Sequence, residues 1–244
     1  MNIPACFVTG TDTEVGKTRV SAGLLHWLGQ AGLRAVGYKP VASGMDWHDG
    51  RWSNEDVQTL HAASTADVTL DEVGPCQFRT ACAPHIAAEI EGRGIDRAAL
   101  LQGAQHLAGR SDALVVEGAG GWCIPLGPDW DSADLVQELD LPVVLVVGLR
   151  LGCINHALLT AEAVRARGLR LAGWVVNTLA PDMPHLARNL DTLHHEFERR
   201  FQAPCLAVLP RLDPPSAASV APFFHPAAVR ALFGLPPAHS DDLT

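Results

Sequence analysis

Lysine is almost absent from this 244-residue chain: of 18 basic residues only Lys17 and Lys39 are lysines, and the rest are arginines. Positive charge as a whole is short, because 27 acidic residues leave a formal net charge of -9. A basic face that could displace counterions is therefore lacking, and neither nucleic acid nor an anionic membrane is expected as a partner. Long apolar runs are missing as well. None approaches the roughly 20 residues a bilayer span needs, and no basic stretch leads into an apolar one at the N-terminus, so a cytosolic location is expected. The six cysteines include no C-x-x-C pair, which argues against a zinc ribbon and for reduced, mostly buried thiols. Eleven histidines are present, but the densest pair, His194-His195, would point to different faces of a helix, so solvated surface histidines are expected rather than a metal site.

What the chain does have is apolar mass, 48% of its residues, in short β-branched runs that alternate with helical patterns. Runs at 3–9, 35–41, 113–117, 143–147, 171–177 and 205–209 read as strands. Helical patterns fall at 17–30, 96–108, 132–139, 155–167 and 185–201. Continuous apolar runs suit strands buried on both faces, so the expected fold is α/β, a doubly wound, mostly parallel sheet flanked by helices. One domain is expected over residues 1–236, with a frayed tail at 237–244. The stretch 44–93 is polar and weakly periodic and reads as loops and short helices over the active face.

The first strand runs into "GTDTEVGKT", Gly10 to Thr18. A phosphate-binding loop normally separates its first glycine from Gly-Lys-Ser/Thr by four residues, whereas Thr11 to Val15 make five. Between strand and helix, such a loop aims backbone N–H groups and a helix N-terminus at a polyphosphate. Lys17 would neutralise the outer phosphates and Thr18 would offer its hydroxyl to magnesium. "ALVVEGAGG" ends a strand on Glu117, where the carboxyl ends of strands in open sheets meet ligands, and Gly118, Gly120 and Gly121 permit close backbone approach. "GYKPVASG" puts Lys39 and Ser43 at the end of the second strand, which is expected beside the first. Keeping lysine at two sites in an arginine-writing chain points to a need for a compact ammonium there. Asp56 in "NEDV" reads as a helix N-terminal acid, either a dipole partner or a ligand. "GLRLGCINHA" opens another helix, whose N–H groups at Cys153, Ile154 and Asn155 form a second possible anion site, with Asn155 as a simple N-cap the alternative.

Taken together, "FVTGTDTEVGKT", "GYKPVASG", "VEGAGGW", "VVGLRLGCINHALLT" and "LAGWVVN" resemble the dethiobiotin synthetase family across most of residues 3–210. That resemblance implies a homodimeric P-loop enzyme using ATP, magnesium and carbon dioxide to close a cyclic urea on 7,8-diaminopelargonate. It implies a carbamate on one amine, its phosphorylation by ATP, and displacement of phosphate by the second amine. By matching motif, the resemblance assigns catalysis to Lys17, Lys39, Thr13 and Ser43. ATP contacts fall to Thr13, Glu14, Val15, Gly16, Lys17, Thr18, Glu117, Gly118 and Asn177, the last at the adenine edge. Substrate contacts fall to Thr13, Ser43, Gly120, Cys153, Ile154 and Asn155, with the carboxylate held across the dimer interface. Magnesium falls to Thr18, Asp56 and Glu117, with Glu55 as a possible substitute for Asp56. The longer loop is then room for a carbamate beside the γ-phosphate. Competing readings are a deviant P-loop regulatory ATPase, a non-catalytic regulatory relative, and a ligase acting on another acid or amine. The first places a second lysine five residues before the invariant one, where this chain has Asp12.

Overall fold

The computed structural model describes residues 3–48, 50–180 and 182–237. Its core is a six-stranded parallel sheet built from β1 (Ala5–Gly10), β2 (Ala35–Tyr38), β3 (Ala113–Glu117), β4 (Val143–Leu149), β5 (Leu171–Thr178) and β6 (Cys205–Leu209). Six helices matter most for the argument: α1 (Lys17–Gln30), α2 (Glu55–Ala63), α3 (Arg97–Ala108), α4 (Ser132–Leu139), α5 (Cys153–Ala166) and α6 (Leu186–Phe201). Every residue of β1, β3 and β4 is buried. Apolar side chains on the sheet's two faces feed two separate clusters. Phe7, Tyr38, Leu114 and Trp174 lie in one, Val8, Leu24, Leu25 and Val115 in the other, so alternate strand residues cement opposite layers. Burial of each such large side chain contributes about 1.5–3 kcal/mol before entropy is counted.

The strand order is β6-β5-β4-β1-β3-β2. The expectation that β2 lies beside β1 is therefore wrong: β3 sits between them, and β2 is an edge strand paired to β3 through Ala35↔Ala113 to Tyr38↔Val116. Local sequence pattern carries no information on which strands pair, since adjacency is decided by how the chain crosses over. The consequence is favourable for a site. Glu117 lies in register with Val8, between the loop that follows β1 and the lysine that follows β2.

β2 stops where Pro40 withholds an N–H, and the Lys39 N–H leaves the sheet to donate to the Val73 carbonyl at 2.7 Å. The segment 44–93 holds the short helices expected, at Glu55–Ala63, Leu70–Val73 and Pro84–Ile90, and adds strand pairs that were not expected. It includes the nine-residue α2, an antiparallel hairpin of residues 46–48 with 51–53, and a short parallel pair of 41–43 with 76–78. Beyond Pro210 the chain wraps back over α1, through short helices at Ala217–Val220 and Pro226–Leu232. A Cβ built on Gly23 of α1 would come within 2.5 Å of Val220, so this contact requires glycine. Residues 238–244 of the expected tail lie outside the described residues. The thiols are free but less buried than expected: Cys6, Cys76 and Cys153 are buried, Cys82 and Cys205 half-buried, and Cys123 exposed.

Candidate active site

The loop after β1 is tied to its neighbours before any ligand enters. Thr11 N–H donates to the Val146 carbonyl of β4 at 3.0 Å, and Asn177 Nδ2 donates to the Val15 carbonyl at 2.9 Å. Glu14 holds φ 59° and Gly16 φ 91°, left-handed positions that turn the chain into α1. At Gly16 a side chain is excluded twice, since a Cβ would also lie 2.3 Å from Asn177 Nδ2. α1 thus begins with no side-chain cap and no acid in its first turn, leaving its N–H groups for an anion.

Around that helix start the charged side chains converge. Lys39, 2% exposed, sends Nζ to Glu117 Oε1 at 2.6 Å, to Asp56 Oδ2 at 2.7 Å and to the Gly118 carbonyl at 3.3 Å. The Thr18 hydroxyl lies 2.7 Å from both Asp56 Oδ1 and Glu117 Oε1. One hydroxyl proton cannot serve two carboxylates, so a cation is the natural completion of these three oxygens. Asp56 is brought in by α2, whose cap Asn54 accepts from the Asp56 N–H at 3.0 Å and donates to the Ser43 and Gly44 carbonyls. Glu55 lines the same cleft, but neither Thr18 nor Lys39 hydrogen-bonds to it.

Electrostatics set the two lysines apart. Burial lowers the pKa of Lys17 to about 8, with the charge of Lys39 adding to the effect and Glu117, Asp56 and Asp12 opposing it. Burial also works against Lys39, yet Glu117 and Asp56 outweigh it and hold the ammonium charged, above its ordinary value. Asp56 is held below the usual carboxylate range because Lys39 and Thr18 overcome its own burial. Among the described residues the Lys17 ammonium donates only to the Asp12 carbonyl, at 3.3 Å, and is the readier of the two for an incoming anion.

Lys17, Thr18, Lys39 and Asp56 border a cleft of about 860 Å³, whereas Glu117 is fully buried behind them and does not line it. Of the expected site residues, Thr13, Glu14, Gly16, Lys17, Thr18, Lys39, Ser43, Asp56 and Gly120 line it. Ser43 Oγ is buried there without a hydrogen-bond partner among the described residues. Val15 instead turns inward, 1% exposed, and the Gly118 backbone is spent on Val8 and Lys39. Asn177, expected at the adenine edge, is 1% exposed and sits behind Gly16, its amide engaged by Val15 and by Arg19 at 3.3 Å. The cleft does not take in Cys153, Ile154 and Asn155. The Cys153 N–H already donates to the Arg150 carbonyl at 3.0 Å, and Gly152, not Asn155, is the N-cap. Three parts of the wall escaped the sequence reading: Arg19, the Ala81–Pro84 turn, and Pro215–Ala217 from the returning chain. None carries a motif of its own.

The residues fit magnesium. Among the described residues no group of three or more His, Cys, Asp or Glu forms a self-sufficient metal site. Magnesium seldom asks for one, taking one or two carboxylates plus substrate phosphates and water. Glu117 Oε2 is buried and has no hydrogen-bond partner among the described residues, an orphaned oxygen of the kind a cation would satisfy.

Known proteins resemble this chain in sequence and in fold. A family model described as an AAA domain matches residues 5–219. The ATP-dependent dethiobiotin synthetase BioD of Aromatoleum aromaticum is 49% identical over 217 residues, 89% of this chain and 95% of the relative. Its namesake in Janthinobacterium sp. is 45% identical over 222 residues, 89% and 92% of the two chains. Among solved structures, a ParA family ATPase from Chlorobium tepidum superposes with a TM-score of 0.54 at 14% identity, covering 95% of this chain and 99% of that one. The MinC:MinD cell division complex of Aquifex aeolicus gives 0.53 at 12%, covering 97% and 98%. At such identities the structural likeness concerns the P-loop fold alone.

Proposed function

The chain belongs to the ATP-dependent dethiobiotin synthetase family and is an ATP-dependent ligase, and from that premise we propose how its residues divide the work. The substrates are 7,8-diaminopelargonate, carbon dioxide and ATP. One amine adds to carbon dioxide and loses a proton, giving a carbamate. A carbamate oxygen attacks the γ-phosphorus, the bond to ADP breaks, and a carbamic–phosphoric anhydride results. The second amine then attacks the carbonyl carbon, expels phosphate, and closes the ureido ring.

The observation that carries this division is the convergence of both lysines on the Thr18–Asp56–Glu117 group, with Lys39 hydrogen-bonded to both carboxylates and Lys17 within their electrostatic reach. Lys17 and the N–H groups at the start of α1 hold the polyphosphate. Lys39, kept charged by its two carboxylates, stabilises charge spreading over the transferred phosphoryl group, an electrostatic role with no covalent step. Thr13 and the unpartnered Ser43 hydroxyl lie on the same cleft and hold the carbamate, with Gly120 giving it room. Thr18, Asp56 and Glu117 would hold magnesium, which supplies charge neutralisation at the phosphates. The N–H groups of Ile154 and Asn155 at the start of α5 receive the substrate carboxylate from a second copy of the chain, making the homodimer part of the site.

Labelled bicarbonate tests the reading. With magnesium-ATP and 7,8-diaminopelargonate, ¹³C-bicarbonate should place its label in the ureido carbon of dethiobiotin, seen as a one-unit mass increase. An unlabelled product, or none, would contradict it.

A further inference from the structure

Asp12 is an acid on a loop that holds phosphates, and none of the roles above uses its side chain. It begins the crest of that loop, Asp12 to Glu14, all three residues of which are exposed. The crest is flanked by two fixed points, the Thr11 N–H on the Val146 carbonyl and the Val15 carbonyl on Asn177. Among the described residues, one hydrogen bond reaches the crest itself from beyond the loop and α1. Arg150 Nη2 donates to Asp12 Oδ2 at 2.5 Å.

Each oxygen of Asp12 has a separate task. Oδ2 takes the guanidinium, Oδ1 accepts the Thr13 N–H at 2.8 Å, and the backbone carbonyl accepts the Lys17 ammonium at 3.3 Å. Arg150 is divided in the same way, since its own carbonyl accepts the Cys153 N–H at the start of α5. A side chain rooted in the turn between β4 and α5 thus fixes the residue that orients both Thr13 and Lys17. Its charge matters too, because a bare carboxylate on this loop would repel polyphosphate.

We propose that Asp12 and Arg150 are a positioning pair: Arg150 pins the crest so that Thr13 faces the carbamate, and it cancels the Asp12 charge before ATP arrives. A loop one residue longer than the usual phosphate loop has more crest to hold, and this pair holds it. The inference rests on the proposed reaction, in which Thr13 contacts the carbamate. The two side chains are 46% and 49% exposed, so their pairing adds little to folding. Misplacing a reacting group by about 1 Å, in contrast, can cost about a hundredfold in rate.

Steady-state kinetics on the wild type, Asp12→Ala, Arg150→Met and the double variant test this, with dethiobiotin as the measured product. Each single variant should lower kcat/KM for 7,8-diaminopelargonate about tenfold or more, and the double variant should fall no further, because the two residues act as a unit. The KM for ATP should rise in Arg150→Met, where Asp12 is left uncompensated, and return to within about threefold of the wild type when Asp12→Ala is added. Arg150 donates to Asp12 through one nitrogen only, so Arg150→Lys should keep most of the activity. Melting temperatures should stay within about 4 °C of the wild type. Additive losses in the double variant would overturn the pairing. Equal losses for ATP and the diamine in Asp12→Ala, or a melting temperature that falls in step with activity, would overturn the positioning role. A wild type that forms no dethiobiotin would instead remove the synthetase assignment on which the proposal stands.

Discussion

α1 and α5 enter the fold in the same way and end up with different chemistry. Each is a 14-residue helix after a central strand, each begins with a left-handed glycine, Gly16 at φ 91° and Gly152 at φ 93°, and neither has a side-chain cap or an acid in its first turn. The first three helical residues are Lys17, Thr18 and Arg19 in one and Cys153, Ile154 and Asn155 in the other. Around α1, β3 and α2 deliver Glu117 and Asp56, and the turn after β2 delivers Lys39. At the start of α5, Arg150 pairs with Asp12 at 2.5 Å, and Leu151 just before the helix is 89% exposed. A helix N-terminus supplies only generic affinity for an anion. What turns one of them into a reaction centre is the set of side chains that the sheet order brings to it.

The largest expected contrast is at the first helical residue. Lys17→Ala should cut turnover by about a thousandfold, the upper range for losing one preorganised charge stabiliser, and Lys17→Arg should also be severely impaired because a planar fork does not replace a compact ammonium. Cys153→Ala, which keeps its backbone N–H, should alter turnover by less than about threefold; steady-state kinetics on the three variants would show whether the contrast holds.

Lys39→Ala comes next, with kcat about a hundredfold lower and the KM for ATP much less affected. Because Glu117 is fully buried, this variant also strands a carboxylate, and thermal or denaturant unfolding should show a loss of about 3–5 kcal/mol. Lys39→Met combined with Glu117→Gln should recover much of that stability and none of the activity. Recovery of both would break the distinction between a catalytic and a structural lysine.

The glycines sharpen the comparison at lower cost. Gly16→Ala meets both a left-handed backbone and the Asn177 amide, whereas a Cβ on Gly152 meets nothing within 4 Å. Gly152→Ala should therefore lose only the backbone term, about 1–2 kcal/mol, and Gly16→Ala clearly more. Equal losses in the melting temperature would mean that the Asn177 contact yields freely.

The smallest effect is the pH response of nucleotide binding. The folded pKa of Lys17, about 8, lies below its ordinary 10.5, so the folded state binds fewer protons than the unfolded chain between those values. Stability attributable to this group therefore rises as pH climbs from 8 to 10.5, while phosphate affinity falls over the same range as the ammonium discharges. Titration calorimetry with ATP should show the weakening above about pH 8, and Lys17→Arg should remove it.

Much of this molecule could be read from its residues, and the failures have physical causes. The bounds of α1, α4, β3 and β6 match the sequence reading because continuous apolar runs and 3.6-residue periodicity are local properties. The position of β2 was misread because strand pairing is not local. The pairing of 46–48 with 51–53 was overlooked although "WHDGRW" carries an Asp-Gly pair between aromatic residues, a recognised hairpin signal in sequence. Of the residues that converge in the site, Lys17 and Thr18 were legible from the glycine loop that opens α1, and Lys39 and Glu117 from the ends of apolar runs. Arg19 was not, since it stands one residue past the motif and looks like any helical arginine. The adenine-edge role of Asn177 rests on resemblance alone, and its tie to the Val15 carbonyl 162 residues away was beyond any local pattern.

Phosphate release from magnesium-ATP, followed with bicarbonate present and with or without 7,8-diaminopelargonate, tests the central claim most directly. If the lysines and carboxylates around α1 serve a carbamate and not water, phosphate should appear only with the diamine, one for each ureido ring closed. Steady release without the diamine, or release unaccompanied by ring closure, would contradict that claim and return the cleft to the switch ATPases whose fold it shares.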